Sequence, residues 1–243
     1  MIKKQIEKIR DFCFDLIFPI QCLGCKREGA WLCDDCLLKQ GFQTQQRCPN
    51  CNEINAGQFC QNCKEQYLLD GLVVAFPYDG VIKELIKVCK YHFSKDAGQL
   101  LGTLLILFLG KYLVQQAEKT ICPIFWNDWQ KNLLLPVPLA KRRLRWRGFN
   151  QSGIIAKQMA DYFQVAVIDG LTRTFGKPQA QLSRLKRRKN LQNVFNWEGQ
   201  DLLGKNIILI DDVSTTGTTL NECARVLKRA GAKAVWGLVI AKG

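Results

Sequence analysis

One continuous segment of the chain joins an apolar strand to a polar turn and the start of a helix: Ile207-Ile208-Leu209-Ile210-Asp211-Asp212-Val213-Ser214-Thr215-Thr216-Gly217-Thr218-Thr219-Leu220. Four consecutive apolar residues are typical of a strand that is covered on both faces. Small hydroxyl residues and a glycine then lead directly into a helical pattern that Gly231 ends. The segment therefore predicts a βα unit of a parallel sheet with helices on both sides.

Strands and helices alternate around this unit, which favours an α/β fold with a doubly wound, mostly parallel sheet. We expect this domain over residues 67–243, preceded by a cysteine-rich module at residues 21–66 and an amphipathic helix at residues 1–20. The other predicted elements are strands at Leu72–Tyr78, Leu133–Val137 and Ala234–Ile240 and helices at Gly98–Gln116 and Phe149–Phe163.

The turn after the central strand has the composition of an anion site. Backbone N–H groups at the first turn of a helix, supported by the helix dipole, bind phosphate groups, and a glycine lets the backbone approach such a ligand closely. Hydroxyl groups add hydrogen-bond donors. We expect a phosphate to be held by Ser214, Thr215, Thr216, Gly217, Thr218 and Thr219.

Two adjacent carboxylates, Asp211 and Asp212, precede this turn. Ligands of open α/β sheets bind at the carboxyl end of the strands, so both carboxylates should lie beside the phosphate. Because carboxylates repel phosphate, they must face hydrogen-bond donors such as ribose hydroxyl groups. The sequence thus predicts a site for a ribose 5-phosphate group, which requires both carboxylates to be open to a ligand and not held in buried ion pairs.

Two alternatives remain for this segment. An apolar strand that ends in two aspartates also resembles the magnesium-binding strand of a nucleotide hydrolase, which requires a phosphate loop elsewhere. The nearest candidate, Gly199-x4-Gly204-Lys205-Asn206, lacks the final Ser or Thr and precedes a strand instead of opening a helix. The other alternative is an ordinary turn in which a threonine caps the helix.

Eight of the 12 cysteines form four Cys-x-x-Cys pairs, separated by 7, 11 and 8 residues. A two-residue gap lets both sulfurs of a pair bind one ion, and four thiolates are common ligands of structural zinc. The segment is poor in apolar residues, so a bound metal would supply the stability that a core does not. We expect two structural zinc ions on Cys22, Cys25, Cys33, Cys36, Cys48, Cys51, Cys60 and Cys63.

The spacing leaves the grouping of these cysteines open. Sequential grouping places the first two pairs on one ion, whereas cross-braced grouping joins the first pair with the third and the second with the fourth. Disulfides are disfavoured, because we find no secretory signal and no apolar run long enough to span a membrane and therefore expect a cytoplasmic protein. Iron–sulfur clusters usually have other cysteine spacings.

The net charge of +14 is concentrated in one part of the chain. Between Leu139 and Asn190, 13 Lys and Arg residues stand against two acids, which indicates a polyanionic partner. The first basic cluster, residues 141–147, is predicted to be a loop and is interrupted by Trp146; a second cluster covers residues 184–189. Arginine beside an exposed aromatic ring is typical of proteins that bind single-stranded nucleic acid.

The segment Ile207–Leu220 closely resembles the phosphoribosyl pyrophosphate-binding motif of type I phosphoribosyltransferases, from which it departs mildly at Ser214, where that family usually has an apolar residue. With the cysteine pairs in front, nearly the whole chain resembles the ComF/ComFC family of competence-related proteins. The other matching positions are Pro136-Val137-Pro138-Leu139, Arg147-Gly148-Phe149-Asn150-Gln151, Gln179, Leu182, Arg187, Asn190 and Phe195.

This resemblance implies a double zinc ribbon in front of a type I phosphoribosyltransferase fold. It implies a role in DNA uptake during natural transformation, with single-stranded DNA and other competence proteins as partners. It also implies that Asp211 and Asp212 act at the ribose hydroxyl groups of phosphoribosyl pyrophosphate, which binds with Mg²⁺. Arg143, Arg145 and Arg147 are the candidates for its diphosphate, and Lys90 is a weaker candidate for a phosphate.

Two functions from different classes follow from these expectations. An enzyme would transfer the phosphoribosyl group with Mg²⁺, while Asp211 and Asp212 stabilise a cation-like transition state. The sequence contains no obvious general base, so the acceptor is not identified. A binding module would instead keep the phosphoribose site without turnover and act on single-stranded DNA and protein partners.

Overall fold

The computed structural model describes residues 19–116, 131–173 and 194–243. The chain divides into two compact units, Met1–Gly41 and Phe42–Gly243. The first unit contains the first two cysteine pairs, and the second contains the other two pairs together with the sheet. The predicted amphipathic helix and the second basic cluster lie outside the described residues.

The described elements alternate as an α/β fold requires. The helices are α1 (Asp34–Leu38), α2 (Gln61–Lys64), α3 (Gly80–Tyr91), α4 (Lys95–Gln116), α5 (Lys141–Arg147), α6 (Gln151–Phe163) and α7 (Thr218–Arg229). The strands are β1 (Gly71–Pro77), β2 (Asn132–Pro136), β3 (Ala166–Val167), β4 (Leu171–Arg173), β5 (Phe195–Trp197), β6 (Asn206–Ser214) and β7 (Ala234–Lys242).

Five of these strands form a sheet in the order β1-β7-β6-β2-β3, and every neighbouring pair is parallel. The two central strands β6 and β7 are buried along most of their length, as expected for strands covered on both faces. Strands β4 and β5 form a separate antiparallel pair. The predicted fold class, a doubly wound and mostly parallel sheet, is confirmed.

Helices cover both faces of the sheet. On one face of the sheet α4 packs between α3 and α6. Between Leu101 and Tyr112, the apolar side chains on one side of α4 form a fully buried stripe. On the other face α7 buries Leu220, Cys223 and Leu227 at helical spacing against β6, β7 and β5. Among the described residues, no helix is long and apolar enough to cross a membrane.

The outer edge of β1 is covered by the segment that carries the third cysteine pair. Gln43 N donates to Ala75 O (2.8 Å), and Leu72 N donates to Gly57 O (2.8 Å). The buried side chain of Gln46 accepts a hydrogen bond from Val74 N (2.8 Å) and donates one to Val74 O (3.0 Å). Residues 43–58 therefore satisfy the backbone groups that an edge strand otherwise leaves free.

Two predicted boundaries differ from the structure. Strand β6 continues through both aspartates to Ser214, because β7 pairs with it as far as Lys242. Residues 141–147, predicted to be a loop, form helix α5 instead. That helix ends at Gly148, which adopts a left-handed conformation (φ 78°) and donates its N–H to Leu144 O (2.8 Å), a common helix end.

Candidate functional site

The strand order places a crevice at the carboxyl ends of β6 and β2. From β6 the chain crosses to β7 through α7, and from β2 it runs the other way to β3 through α5 and α6. Right-handed crossovers in opposite directions put their helices on opposite faces, so a crevice forms outside the carboxyl ends of these two paired strands. Ligands of open α/β sheets bind at such switch points.

Strand β6 projects into this crevice beyond its neighbour. Its pairing with β2 ends at Ile210, where Val137 N donates to Ile210 O (2.9 Å), while its pairing with β7 continues. Asp211 and Asp212 follow directly and point to opposite faces of the strand. The structure therefore brings both predicted carboxylates to the predicted edge of the sheet.

Asp212 is buried and makes an ion pair. Its Oδ1 lies 2.8 Å from Lys90 Nζ, at the end of α3, and the two side chains are 10% and 22% exposed. In this structure the carboxylate is therefore not open to a ligand in the way that the sequence analysis required. The cation involved is Lys90, which was a weaker candidate for binding phosphate in the sequence analysis, so the ion pair joins two residues that were both expected to contact the ligand.

Asp211 is held by hydrogen bonds from two elements. Its Oδ1 accepts one from Ser152 Oγ (3.0 Å), on the first turn of α6, and one from Asp212 N (2.9 Å). Burial, and to a lesser extent the charge of Asp212, raises the pKa of Asp211 to about 7, although these hydrogen bonds and Lys90 act in the opposite direction. Asp211 therefore changes its protonation state near neutral pH.

The three candidate arginines differ in their surroundings. Arg147 is only 8% exposed, and burial lowers its pKa whereas the charge of Asp212 raises it. Arg143 is exposed but close enough to influence the pKa of both Arg147 and Arg173. Arg145 is exposed, and no contact in the described part of the chain joins it to the aspartates. Arg147 is thus the arginine that the structure places with Asp212.

The phosphate loop, residues 214–219, has the backbone geometry of an anion site. Gly217 occupies the position that caps α7, with φ 68°, and makes no side-chain capping hydrogen bond. The first amides of a helix have no partner within the helix, so those of α7 remain available to a ligand. The Thr216 and Thr218 hydroxyls lie 2.7 Å apart at the same place.

Several buried polar atoms near this edge have no hydrogen-bond partner among the residues that the structure describes. They are Arg147 Nε, Asn150 Oδ1, Gln151 Nε2 and Ser214 Oγ. Asn150 Nδ2 donates to Val137 O (3.0 Å), which fixes the start of α6 beside the end of β2. Buried polar atoms are rarely left unpaired in proteins, so their concentration here indicates a site built for a polar ligand.

The eight paired cysteines form two groups. Within each group the sulfur atoms all lie within 4.8 Å of one another. The groups are sequential, which excludes the cross-braced alternative: Cys22, Cys25, Cys33 and Cys36 form one, and Cys48, Cys51, Cys60 and Cys63 form the other.

The spacing of the sulfur atoms suits zinc. Three pairs of sulfurs are 3.6 to 3.7 Å apart. The edge of a sulfur tetrahedron around zinc, with bonds of about 2.3 Å, is about 3.8 Å. The Cys22 and Cys48 sulfurs also accept hydrogen bonds from backbone N–H groups, of Cys33 (3.4 Å) and Cys60 (3.5 Å), which favour a thiolate.

Local sequence patterns did not predict a role for Ser152 or for the polar atoms of Asn150 and Gln151. The last two belong to the motif that carries the family resemblance, and that was the signal available for them. Ser152 contacts Asp211 across 59 residues of sequence, and neither residue type nor spacing indicates that contact.

The parallel sheet, its crevice at β6 and β2 and the loop after β6 define a protein with a phosphoribosyltransferase-type domain. Residues 151–242 match the family model described as phosphoribosyl transferase domain. DNA utilization protein YhgH of Escherichia coli is 38% identical over 166 residues, which cover 68% of this chain and 68% of that protein.

Two further relatives are competence proteins. Competence protein F of Haemophilus influenzae is 28% identical and covers 91% of this chain and 97% of that protein. Competence protein ComFC of Streptococcus pneumoniae is 26% identical, with 86% and 87% covered. The chain therefore belongs to the family of competence protein F, ComFC and YhgH.

Proposed function

We propose that the protein binds phosphoribosyl pyrophosphate in the crevice between β6 and β2. The observation that carries this proposal is the position of two adjacent carboxylates directly before an uncapped helix start, at a switch point of a parallel sheet. The amides of the first turn of α7 and the Thr216 and Thr218 hydroxyls would bind the 5-phosphate. The buried hydroxyl of Ser214, which lacks a partner, is available to the same ligand.

Asp211 and Asp212 would accept hydrogen bonds from the ribose hydroxyl groups. Asp212 can do so once Lys90 moves from its carboxylate to an oxygen of the diphosphate. This exchange replaces one ion pair with another, so Lys90 keeps a negatively charged partner throughout. Arg147, which is buried beside Asp212, would face the same diphosphate.

Mg²⁺ would neutralise part of the diphosphate charge when it is bound with the ligand. In an enzyme, the two carboxylates would stabilise positive charge that develops at the anomeric carbon as the diphosphate leaves. Asp211 would be most effective in its charged form, which is favoured above a pH of about 7. The chemistry at this edge supports transfer of a phosphoribosyl group without identifying the acceptor.

The two cysteine groups would each hold one structural zinc ion. All four ligands of each ion would come from the protein, which leaves no position for a reacting water molecule. Cys48 and Cys63 belong to the hydrophobic core that also contains Leu72 of β1, so the second ion would stabilise the unit that contains the sheet.

The names of the relatives support a role in handling DNA. We propose a cytoplasmic protein that acts on incoming single-stranded DNA during natural transformation, together with other competence proteins. The alternative is a binding module that keeps the phosphoribose site without turnover. The exposed basic residues of α5 favour nucleic acid as a partner in either case.

Calorimetry with phosphoribosyl pyrophosphate and Mg²⁺ tests the proposed ligand. We expect binding by the wild-type protein and a loss of about tenfold or more in Asp212→Asn, because one ribose partner is weakened. Asp161→Asn, which changes an exposed carboxylate on α6, is the matched control. Wild-type affinity in Asp212→Asn would show that the ligand binds elsewhere. Isotope-labelled phosphoribosyl pyrophosphate is a separate test, which measures whether the wild-type protein turns the ligand over with DNA or free bases.

A further inference from the structure

An exposed aromatic surface lies between the end of α3 and the end of α5. Its members are Tyr91, Phe93 and Trp146, which are 61%, 40% and 58% exposed. The rings of Phe93 and Trp146 meet edge to face, with centroids 4.8 Å apart and an interplanar angle of 83°. We call these three residues the aromatic patch, and the Phe93–Trp146 contact gives two of its exposed rings a defined relative orientation.

Phe93 reaches this patch through an unusual backbone conformation. Its φ is 55°, in the left-handed region that bulky residues rarely adopt. The ring is also 40% exposed, so burial in the core does not account for the conformation. Phe93 is the residue after the C-cap of α3, His92, and a left-handed conformation is common at this position of a helix end, although glycine or asparagine usually adopts it.

The patch adjoins the phosphoribose site through its sequence neighbours. Tyr91 directly follows Lys90, whose ammonium group contacts Asp212 at 2.8 Å, and Trp146 directly precedes the buried Arg147. The tyrosine is also close enough to Arg147 to influence its pKa. The aromatic patch consequently lies beside the charged residues of the crevice.

The helix that carries Trp146 is rich in positive charge. Helix α5 contains Lys141, Arg142, Arg143 and Arg145, all exposed, and no acid. Among the residues that the structure describes, no carboxylate makes an ion pair with any of these four. Unpaired basic side chains around exposed rings match the chemistry of a single strand of nucleic acid, whose phosphates are anionic and whose bases are free to stack.

We propose that Phe93 and Trp146 form a stacking platform for an unpaired base of single-stranded DNA, while Arg142 and Arg145 hold the flanking phosphates. The bound DNA then lies across the entrance to the crevice, and the nucleotide on the platform is the one nearest to the phosphoribose site. The platform rests on the part of the proposed function that concerns single-stranded DNA, and the position of the nucleotide rests on the proposed phosphoribose site.

Binding of oligonucleotides with and without bases tests the platform. Fluorescence anisotropy compares labelled oligo-dT with an abasic strand of equal length, which keeps the phosphates and removes the rings. We expect the wild-type protein to bind oligo-dT about fivefold to 100-fold more tightly than the abasic strand. Equal affinity for the two strands would overturn the proposal.

Two variants remove one ring each. Trp146→Ala should lose most of the preference for oligo-dT and leave binding of the abasic strand unchanged. Phe93→Gly should do the same and should also unfold at a higher urea concentration, because glycine adopts a positive φ without strain. Loss of binding in a more stable protein excludes misfolding as the cause.

Tyr162→Ala is the matched control. Tyr162 is 67% exposed and meets Phe163 edge to face (4.9 Å, 81°), but it lies at the far end of α6. The Tyr162→Ala variant should bind oligo-dT like the wild type. A loss of oligo-dT affinity equal to that of Trp146→Ala would overturn the proposal. Arg142→Ala should weaken binding of both oligo-dT and the abasic oligonucleotide. It should also reduce the slope of log affinity against log salt concentration by about 0.7, whereas Trp146→Ala should not change that slope.

Three further measurements separate this proposal from others. Anionic vesicles that bind the wild-type protein and lose binding in Trp146→Ala would assign the patch to membranes instead, and oligo-U bound more tightly than oligo-dT would assign it to RNA. Calorimetry with phosphoribosyl pyrophosphate should give the same affinity in Trp146→Ala as in the wild type. If the wild-type protein fails to bind that ligand but still prefers oligo-dT, the platform stands and the proposed phosphoribose site does not.

Discussion

Lys90 Nζ lies 2.8 Å from Asp212 Oδ1, and this contact joins α3 to the central strand at the edge of the sheet where the ligand is expected. Both side chains are mostly buried, so each charge depends on the other for compensation. The same contact occupies a carboxylate that the proposed ligand needs. Stability and binding are therefore coupled through one ion pair.

Replacing Lys90 with methionine tests this coupling. The variant keeps most of the side-chain volume but leaves Asp212 without its cation, and we expect it to lower the free energy of unfolding by about 1–3 kcal/mol. Asp212→Asn in the same protein should restore most of that loss. Urea denaturation of the two single variants and the double variant measures the coupling.

The exposed pair of Lys87 and Glu84 provides the control for that cycle. Their charged atoms are 2.7 Å apart, but the side chains are 43% and 51% exposed. Lys87→Met should therefore change the free energy of unfolding by less than about 1 kcal/mol. A loss in Lys90→Met no larger than this would show that the Lys90–Asp212 pair is as weak as a surface pair.

Asp211 should make the stability of the protein depend on pH. Its pKa is raised from 3.8 to about 7 in the folded protein, so between pH 4 and 7 the folded state retains a proton that the unfolded state loses. The free energy of unfolding contributed by this group therefore falls as the pH rises through that window. Asp211→Asn should stabilise the protein by about 1–3 kcal/mol at pH 8 and have little effect at pH 4.

The asparagine keeps an oxygen that can accept the hydrogen bonds from Ser152 Oγ and Asp212 N, so the comparison isolates the charge. Thermal denaturation at pH 4, 6 and 8 measures the effect, and Asp161→Asn is the control for an exposed carboxylate. An equal shift at all three values of pH would mean that the carboxyl group of Asp211 does not titrate near 7.

Gly217→Ala should weaken ligand binding more than it weakens the fold. With φ 68°, an alanine at this position is strained by about 1–2 kcal/mol, and its methyl group enters open space beside the amides of α7. If those amides bind a phosphate, the affinity for phosphoribosyl pyrophosphate should fall by about tenfold to 100-fold.

Gly204→Ala is a closely matched control for this variant. Gly204 has φ 71° and equally open surroundings, but it lies before β6, at the opposite end of the strand from the phosphate loop. The two variants should lose similar stability in urea, whereas Gly204→Ala should bind the ligand normally. Similar binding losses in both would indicate a general effect of strain and not a phosphate contact.

The two cysteine groups should differ in their effect on the sheet. Cys25→Ser and Cys51→Ser each change an exposed cysteine, and each should remove one of two zinc ions as measured by metal analysis. Cys51→Ser should also lower the melting temperature of the sheet, because Cys48 and Cys63 of its group lie in the core around β1. Cys25→Ser should leave the melting temperature of the sheet nearly unchanged. Equal decreases in melting temperature in the two variants would contradict the claim that only the second cysteine group stabilises the sheet.

The sequence predicted the sheet because the signals of its central elements are local. Ile207–Ile210 is apolar at every position and is followed by a turn and by a helix with a regular apolar stripe, so tertiary contacts had little to override. Helix α5 was missed because basic residues occupy five of its seven positions and leave no apolar stripe to recognise. Its end at Gly148 was the available signal.

The contacts within the candidate site could not be predicted in the same way. Lys90, Ser152 and Phe93 reach their partners across long stretches of sequence, and those approaches depend on how helices pack against the sheet. Local patterns report which residues are available for chemistry. They do not report which of them already bind each other in the absence of a ligand, and the Lys90–Asp212 pair is an example.

The hydrogen bonds that Gln46 makes with the backbone of Val74 have a consequence for handling the protein. Residues 43–58 lie between the outer side of β1 and solvent, and they supply two of the four cysteines of the second group, Cys48 and Cys51. Stripping the metal with a chelator would loosen this segment and expose strand backbone to other molecules in solution. Precipitation by edge-to-edge strand pairing would then compete with refolding, so bound zinc would keep the protein monodisperse.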